Sequence, residues 1–468
     1  MMNTAHRYIL TTAVSALMLT LGACSGSDSL GTEDSPLQGA NVYFTIQLSV
    51  PTEKLSSRSQ TNDDGTSTDG TEAGRPEEDA ISNLHILLAG ADGKMLSLSS
   101  GRPSREDNST LTATISVPLD QLKEFTSAGS GAAIYALANY GASFNTAGFD
   151  PMTATYSVAS TADPLLTATS GLPMSNRDAR TVTIPAETEL VKHLSNSTPL
   201  DLTAGNPLHL ERSVARIDYM DGGTDHTFPL TNGEDQLTPT GYELTLASME
   251  IFNIAKSGYM FRHTSPDGSD SRTELFGKET KTSFVMDCDA HLKRGTGNDL
   301  PAGHFMNRTF GTELIDNAPK STESGYSICC YVPENCIPAA DKQLQGYSTG
   351  THFRFKITKA PEGIDLDGTD PITVKAKGET KTVVRDADGN FYLDYYYFIK
   401  HNDNLDPAVM GPMEFGIVRN NIYRLKIESI DGLPEPYDPE NPDEDPKGSL
   451  KLNVRIAKWY YEKIIFDM

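Results

Sequence analysis

From Asn41 to Val50 apolar and polar residues alternate without a break. Val42, Phe44, Ile46, Leu48 and Val50 share one face, and Tyr43, Thr45, Gln47 and Ser49 share the other. Strict period-two alternation is the pattern of a half-buried strand, because successive side chains point to opposite faces of a sheet. The same pattern returns at Ser82 to Ala89, Leu111 to Val117, Ala132 to Asn139, Thr181 to Ile184, Leu208 to Met220 and Tyr242 to Ile254. It continues at Tyr326 to Val332, His352 to Ile357, Phe391 to Ile399, Ile422 to Ile430 and Leu450 to Ile456. Asp92-Gly93 and Asp388-Gly389 supply hairpin-turn chemistry between such runs. Helical stripes are scarce, so the chain reads as all-β.

Two segments interrupt the alternation. Ser56 to Glu78 is rich in Thr, Asp, Gly and Glu and reads as an exposed, mobile loop. Pro434 to Pro446 is acidic and proline-rich, a semi-rigid linker that cannot donate to a sheet ladder. These segments set a terminal strand apart at each end: Asn41 to Val50, and Gly448 to Met468 with Leu450, Leu452, Val454 and Ile456 on one face.

The extreme N-terminus carries a different signal. Arg7 precedes an apolar run from Tyr8 to Leu21 that ends in Leu21-Gly22-Ala23-Cys24. A basic start, a short apolar core and small residues before a cysteine make a lipoprotein signal peptide over residues 1–23, with Cys24 as the lipidated new N-terminus. Ser25 to Gly39 then serves as a tether. No second long apolar run follows, so no transmembrane helix is expected. Of the remaining cysteines, Cys288, Cys329, Cys330 and Cys336, no pairing follows from spacing, and buried free thiols are the preferred reading. His291 lies near Cys288, but no paired C-x-x-C spacing supports zinc, and no metal or other cofactor is expected. Cys329 and Cys330 point to opposite faces if they lie in a regular strand.

A net charge of -24 repels polyanions, which excludes nucleic acid as a partner. The chain has no H-E-x-x-H, G-x-S-x-G or Walker-type signature, and its ten histidines are scattered, so no enzyme activity is expected. Asp365-Leu366-Asp367-Gly368 lacks the full ligand spacing of a calcium loop and reads as an acidic turn. Tyr395, Tyr396 and Tyr397, successive on a strand, should divide between core and surface rather than form a stacking platform.

Several short motifs carry a resemblance. They are the leader, the detached first strand with an arginine after it, Leu210-Glu211-Arg212-Ser213-Val214-Ala215-Arg216-Ile217-Asp218, Tyr331-Val332-Pro333-Glu334-Asn335, Val418-Arg419-Asn420-Asn421-Ile422-Tyr423, and the last strand with Trp459. Together they resemble the Bacteroidales fimbrillins, the subunits of type V pili, nearly end to end. The resemblance implies two transthyretin-like β-sandwich domains with exchangeable terminal strands. On this chain they fall at 59–218 and 219–433, after a propeptide at 24–58 and before a linker at 434–447 and a terminal segment at 448–468.

The resemblance further implies that an arginine-specific protease cuts the lipoprotein precursor and removes the first strand. The emptied groove then takes a strand from another copy or a related subunit. Here the removed strand carries Val42, Phe44, Ile46, Leu48 and Val50, and the cut falls between Arg58 and Ser59, since Arg75 and Arg102 each precede a proline. The candidate donor is the last strand, with Leu450, Leu452, Val454, Ile456 and Trp459. The implied protein is an outer-membrane-anchored precursor of a surface fimbria serving adhesion or biofilm formation, dependent on the lipoprotein export machinery, with its receptor unassigned. The alternative is a lipid-anchored binding protein or a terminal anchor or tip subunit, distinguished by whether the mature N-terminus is Ser59 or lipidated Cys24.

Overall fold

The computed structural model describes residues 39–49, 71–90, 94–99, 110–123, 131–141, 148–233, 238–269, 272–280, 282–293, 300–322, 325–404, 409–438 and 450–460, with single positions at 37, 104, 105, 125 and 406. Cys24, Val50, Arg58, Ser59 and the Asp92-Gly93 turn lie outside them. The protein is all-β, with 47% strand and 8% helix, and is organised around two large sheets. Among the described residues no helix is long and apolar enough to cross a membrane.

The first sheet runs in the order Met95–Ser99, Leu84–Ala89, Gly131–Ala138, Met174–Asn176, Leu208–Arg212, Asn41–Ser49, Thr110–Pro118 and Ser104–Arg105. Asn41–Ser49 is thus not a strand set apart from the body. It pairs antiparallel with Thr110–Pro118 along its whole length, from Asn41↔Pro118 to Ser49↔Thr110. Its other edge pairs in parallel at Phe44↔Leu200 and Leu48↔Leu208. The alternation read from sequence puts Val42, Phe44, Ile46 and Leu48 wholly out of solvent.

The second sheet runs Thr71–Ala73, Leu450–Tyr460, Asn421–Ile430, Thr227–Thr231, Pro239–Ala255, Gly350–Lys359 and Tyr392–Phe398. Val214–Met220 joins it parallel to Asn421–Ile430 and antiparallel to Ser327–Pro333. Its core gathers Leu244, Ile251, Phe353, Phe355, Tyr423 and Leu425, together with Leu452 and Val454 of the last strand. The three successive tyrosines divide as expected: Tyr395 is buried and donates to the Gly432 carbonyl at 2.9 Å, while Tyr396 stacks on His352 outside the core.

Several expectations are corrected. Leu208 to Met220 is not one strand. It breaks at Ser213, and the chain passes there from the first sheet to the second. Ser213 is held on all sides: its N–H donates to the Pro173 carbonyl, its own carbonyl accepts from the Tyr156 hydroxyl, and its Oγ accepts from the Tyr140 hydroxyl. The Ser56 to Glu78 segment is not exposed throughout. Its end forms the strand Thr71–Ala73, and Glu72 and Glu78 are buried.

Pro434 to Asp438 lies outside any strand, but Tyr437 packs against Phe252, Tyr396 and Phe398 rather than staying solvated. Cys288, Cys329, Cys330 and Cys336 are free and buried, and burial pushes the Cys330 thiol up to about 12. Cys329 and Cys330 do not alternate between faces. The ladder jumps from Ile217↔Cys330 to Asp218↔Ile328, so Cys329 is an extra, bulged residue and both side chains enter one core.

Candidate functional site

The charged motif around Ser213 explains how the chain ends are held. Strands buried on both faces seldom tolerate Glu, Arg and Asp, so each must find a buried partner. Glu211 Oε2 accepts from Arg262 Nη1 at 2.9 Å. Arg212 pairs with Asp79 and donates through Nη1 to Asn420 Oδ1 at 3.3 Å. Arg216 forks onto Asp218, with Nε and Nη2 at 2.9 and 2.8 Å, and its Nη1 reaches both oxygens of Glu78 at 3.2 Å. Arg216 Nη2 also donates to Glu72 Oε1 at 2.5 Å, and the other Glu72 oxygen takes Arg424. The Tyr331 hydroxyl donates to Glu78 Oε1 at 2.7 Å. In the neighbouring motifs Arg419 Nη2 donates to Glu334 Oε2 at 2.6 Å.

Within this lattice the three guanidinium groups of Arg212, Arg216 and Arg424 face the four carboxylates of Glu72, Glu78, Asp79 and Asp218. One negative charge is in excess, and two carboxyls feel their surroundings oppositely. Burial pushes the Asp218 carboxyl up to about 6 in spite of Arg216, with Glu72 adding to the rise. Burial also works against ionised Glu72, but the charges of Arg216 and Arg424 outweigh it and hold that carboxyl down at about 2. Such buried pairs add little net stability over apolar packing, yet breaking one by removing a partner is costly. Their effect is to fix which segments meet.

The segments that meet here include the last strand. It pairs antiparallel with Asn421–Ile430 from Leu450↔Ile430 to Asn421↔Lys458. Its far edge pairs in parallel with Thr71–Ala73, Glu72 opposite Trp459. Leu452, Val454 and Ile456 enter the main core with half-buried Leu450 beside them, whereas Ala457 and Trp459 turn to the opposite face and a second cluster. Trp459 lies beneath the Arg212 guanidinium, 4.1 Å from its ring centroid, and stacks on Tyr331 at 5.9 Å. A guanidinium over an indole face is an attractive arrangement that strengthens out of water.

Family comparisons align with these boundaries. The model for the major fimbrial subunit protein (FimA) matches residues 46–212, ending at the residue before the change of sheet. The model for the major fimbrial subunit protein type IV, fimbrillin, C-terminal, matches residues 388–463, which take in the last strand. The chain belongs to the fimbrillin family. Among solved structures, this fimbrillin is similar to a candidate cell adhesion protein from Parabacteroides distasonis, at 16% identity and TM-score 0.44, covering 91% of this chain and 99% of that one. It is also similar to the tip fimbrial protein Mfa3 from Porphyromonas gingivalis with C-terminal truncation, at 13% identity and TM-score 0.38, covering 90% and 100%. No curated protein matches it.

In this fimbrillin Val42, Phe44, Ile46 and Leu48 line up on one buried face of an interior strand. Leu450, Leu452, Val454, Ile456 and Trp459 lie in the last strand of their own chain, some 400 positions on in sequence but in a different sheet. The two sets are not in contact through any shared ladder among the described residues. Sequence reasoning missed Glu72, Glu78, Asp79 and Arg424. The only signal for them was indirect: a Glu-Arg-x-x-x-Arg-x-Asp run inside strands demands buried counter-charges, but spacing does not say where they come from.

Proposed function

We propose that this fimbrillin is a building subunit of a surface fimbria, exported as a lipoprotein through Cys24, cut after Arg58, and assembled when the last strand of one copy replaces the first strand of the next. The observation that carries this reading is the interior position of Asn41–Ser49. Withdrawing it bares the full edge of Thr110–Pro118, the edges of Leu200–Asp201 and Leu208–Arg212, and the apolar surface beneath four fully buried side chains. At roughly 1.5–3 kcal/mol per side chain, that surface represents about 6–12 kcal/mol, an upper figure for what an incoming strand regains. Strand addition to such an edge takes its affinity from the ladder and its specificity from alternate side chains.

Leu452, Val454 and Ile456 repeat the spacing of Phe44, Ile46 and Leu48, so the last strand suits the same groove. The choice of Arg58 over Arg75, one of its two competitors, is supported by how Arg75 is held. Arg75 precedes Pro76, and its own N–H donates to Glu78 Oε2 at 2.6 Å within a bound segment that offers a protease little slack. The division into sandwich domains at 59–218 and 219–433 belongs to the same proposal, with the change of sheet at Ser213 close to that division. Adhesion or biofilm formation is the expected use of the filament.

The deciding experiment is N-terminal sequencing of the cell-surface form, paired with Arg58→Ala. A Ser59 start in the parent, and a monomer that keeps its first strand in the variant, are the expected results. A mature form that starts at lipidated Cys24 would instead assign the protein to an anchor or binding role.

A further inference from the structure

Sheet order places the last strand between two neighbours of very different size. On one side lies the ten-residue strand Asn421–Ile430, and on the other only the three residues Thr71–Ala73. A three-residue parallel ladder is too short to hold an edge by itself. What it lacks in length is supplied by side chains that reach past the last strand. Glu72, opposite Trp459 in register, sends its carboxylate to Arg424 on the strand beyond and to Arg216 on the strand after that. Glu78 and Asp79, a few residues on, are bound to Arg216 and Arg212. The Glu72–Arg424 contact therefore spans the width of the last strand on the face that Trp459 occupies, with the indole held under Arg212 and against Tyr331.

We propose that Thr71–Asp79 is a clasp that retains the last strand in its own subunit, so that opening the Glu72 contacts is the step that frees this strand. The clasp lies C-terminal to Arg58 and so stays with the subunit after the proposed cut. Removing the first strand and freeing the last are then separate events, one proteolytic and one a local opening. That second event matters for assembly only if the last strand is the donor, and to this extent the inference rests on the function proposed above.

The test uses the full-length, uncut precursor, which needs no assembly. Amide hydrogen exchange is followed in Leu450–Tyr460 and, as an internal reference, in Thr110–Pro118, for the parent and for Glu72→Gln. Local opening shows in exchange when it is cheaper than global unfolding. Uncoupling buried Arg424 and Arg216 from their carboxylate should speed exchange in the last strand by about tenfold or more with the reference strand unchanged. Trp459→Phe, which keeps the ion pairs, should give a smaller acceleration in the same residues. Unchanged exchange in the last strand of Glu72→Gln, or equal acceleration in both strands, would overturn the clasp. If Glu72→Gln does not fold, the paired replacement Glu72→Gln with Arg424→Gln leaves no unbalanced charge at that contact and carries the same comparison.

Assembly after protease treatment then separates the two readings. Faster last-strand exchange with faster assembly supports both. Faster exchange with unchanged assembly keeps the clasp and removes the last strand as donor.

Discussion

The two terminal strands of this fimbrillin are held by different physics. Asn41–Ser49 contains no carboxylate, amine or guanidinium, is paired along both edges, and buries one continuous apolar face. Leu450–Tyr460 has one long neighbour and one very short one, splits its apolar residues between two faces, and ends within a lattice of buried charges. Because the first strand has ladders on both edges and four fully buried side chains, its departure breaks both ladders and exposes the whole apolar face. The last strand shares its long ladder and part of the main core with Asn421–Ile430, but its other edge is held by three ladder residues and a few directional ion pairs, so that edge opens by losing a small number of contacts.

Placing a charge in each strand should separate them most sharply. Ile46→Asp buries an unpaired carboxylate in an interior strand and should leave no folded precursor by circular dichroism. Val454→Asp should detach the last strand while the first sheet stays folded, seen as rapid proteolysis confined to the C-terminal segment. If both variants unfold alike, the two strands are not held differently. Next in size, Arg216→Met removes the guanidinium shared by Glu72, Glu78 and Asp218, leaving Glu72 with Arg424 and Glu78 with the Tyr331 hydroxyl, and should cost about 3–5 kcal/mol in chemical denaturation.

Acidity should act on the lattice and spare the first strand. Asp218 holds its proton more tightly folded than unfolded, at about 6 against an ordinary 3.8. Its contribution is therefore fully present below pH 3.8 and lost as pH rises through about 6. Glu72 behaves oppositely: its contribution is full above pH 4.5 and lost as pH falls through about 2. The two together favour the folded state most near pH 4, and thermal melts should show Tm falling from there towards neutrality. Asp218→Asn should flatten that decline, and an unchanged slope would remove Asp218 as its source. The smallest effect belongs to the polar face of the first strand. Ser49→Ala deletes the 2.7 Å hydrogen bond to His209 Nδ1 and should cost about 1 kcal/mol, with no dependence on the charged lattice.

Much of the sheet content was legible because alternation is a local property. Asn41–Ser49, Thr110–Pro118, Gly350–Lys359 and Asn421–Ile430 all fall where period-two runs were read. Alternation says nothing about what lies at a strand's edge, and so the first strand's two-sided pairing was invisible, as was the break at Ser213 within one apolar run. Composition misled at Thr71–Asp79. Glu72, Glu78 and Asp79 look solvated in a polar segment, and only partners more than 130 positions away bury them. The adjacent cysteines failed for a related reason, since a bulge cancels the alternation that their spacing assumes.

The pinning of Ser213 bears on how a pull is carried. Tension applied to one sheet reaches the other through the backbone at that residue, where bonds from Tyr140, Tyr156 and the Pro173 carbonyl converge and the Arg212 and Arg216 pairs stand on either side. A crossing braced this way has no slack peptide to pay out. Load would pass between the sheets with little extension, and yielding would begin at a terminal strand rather than at the junction.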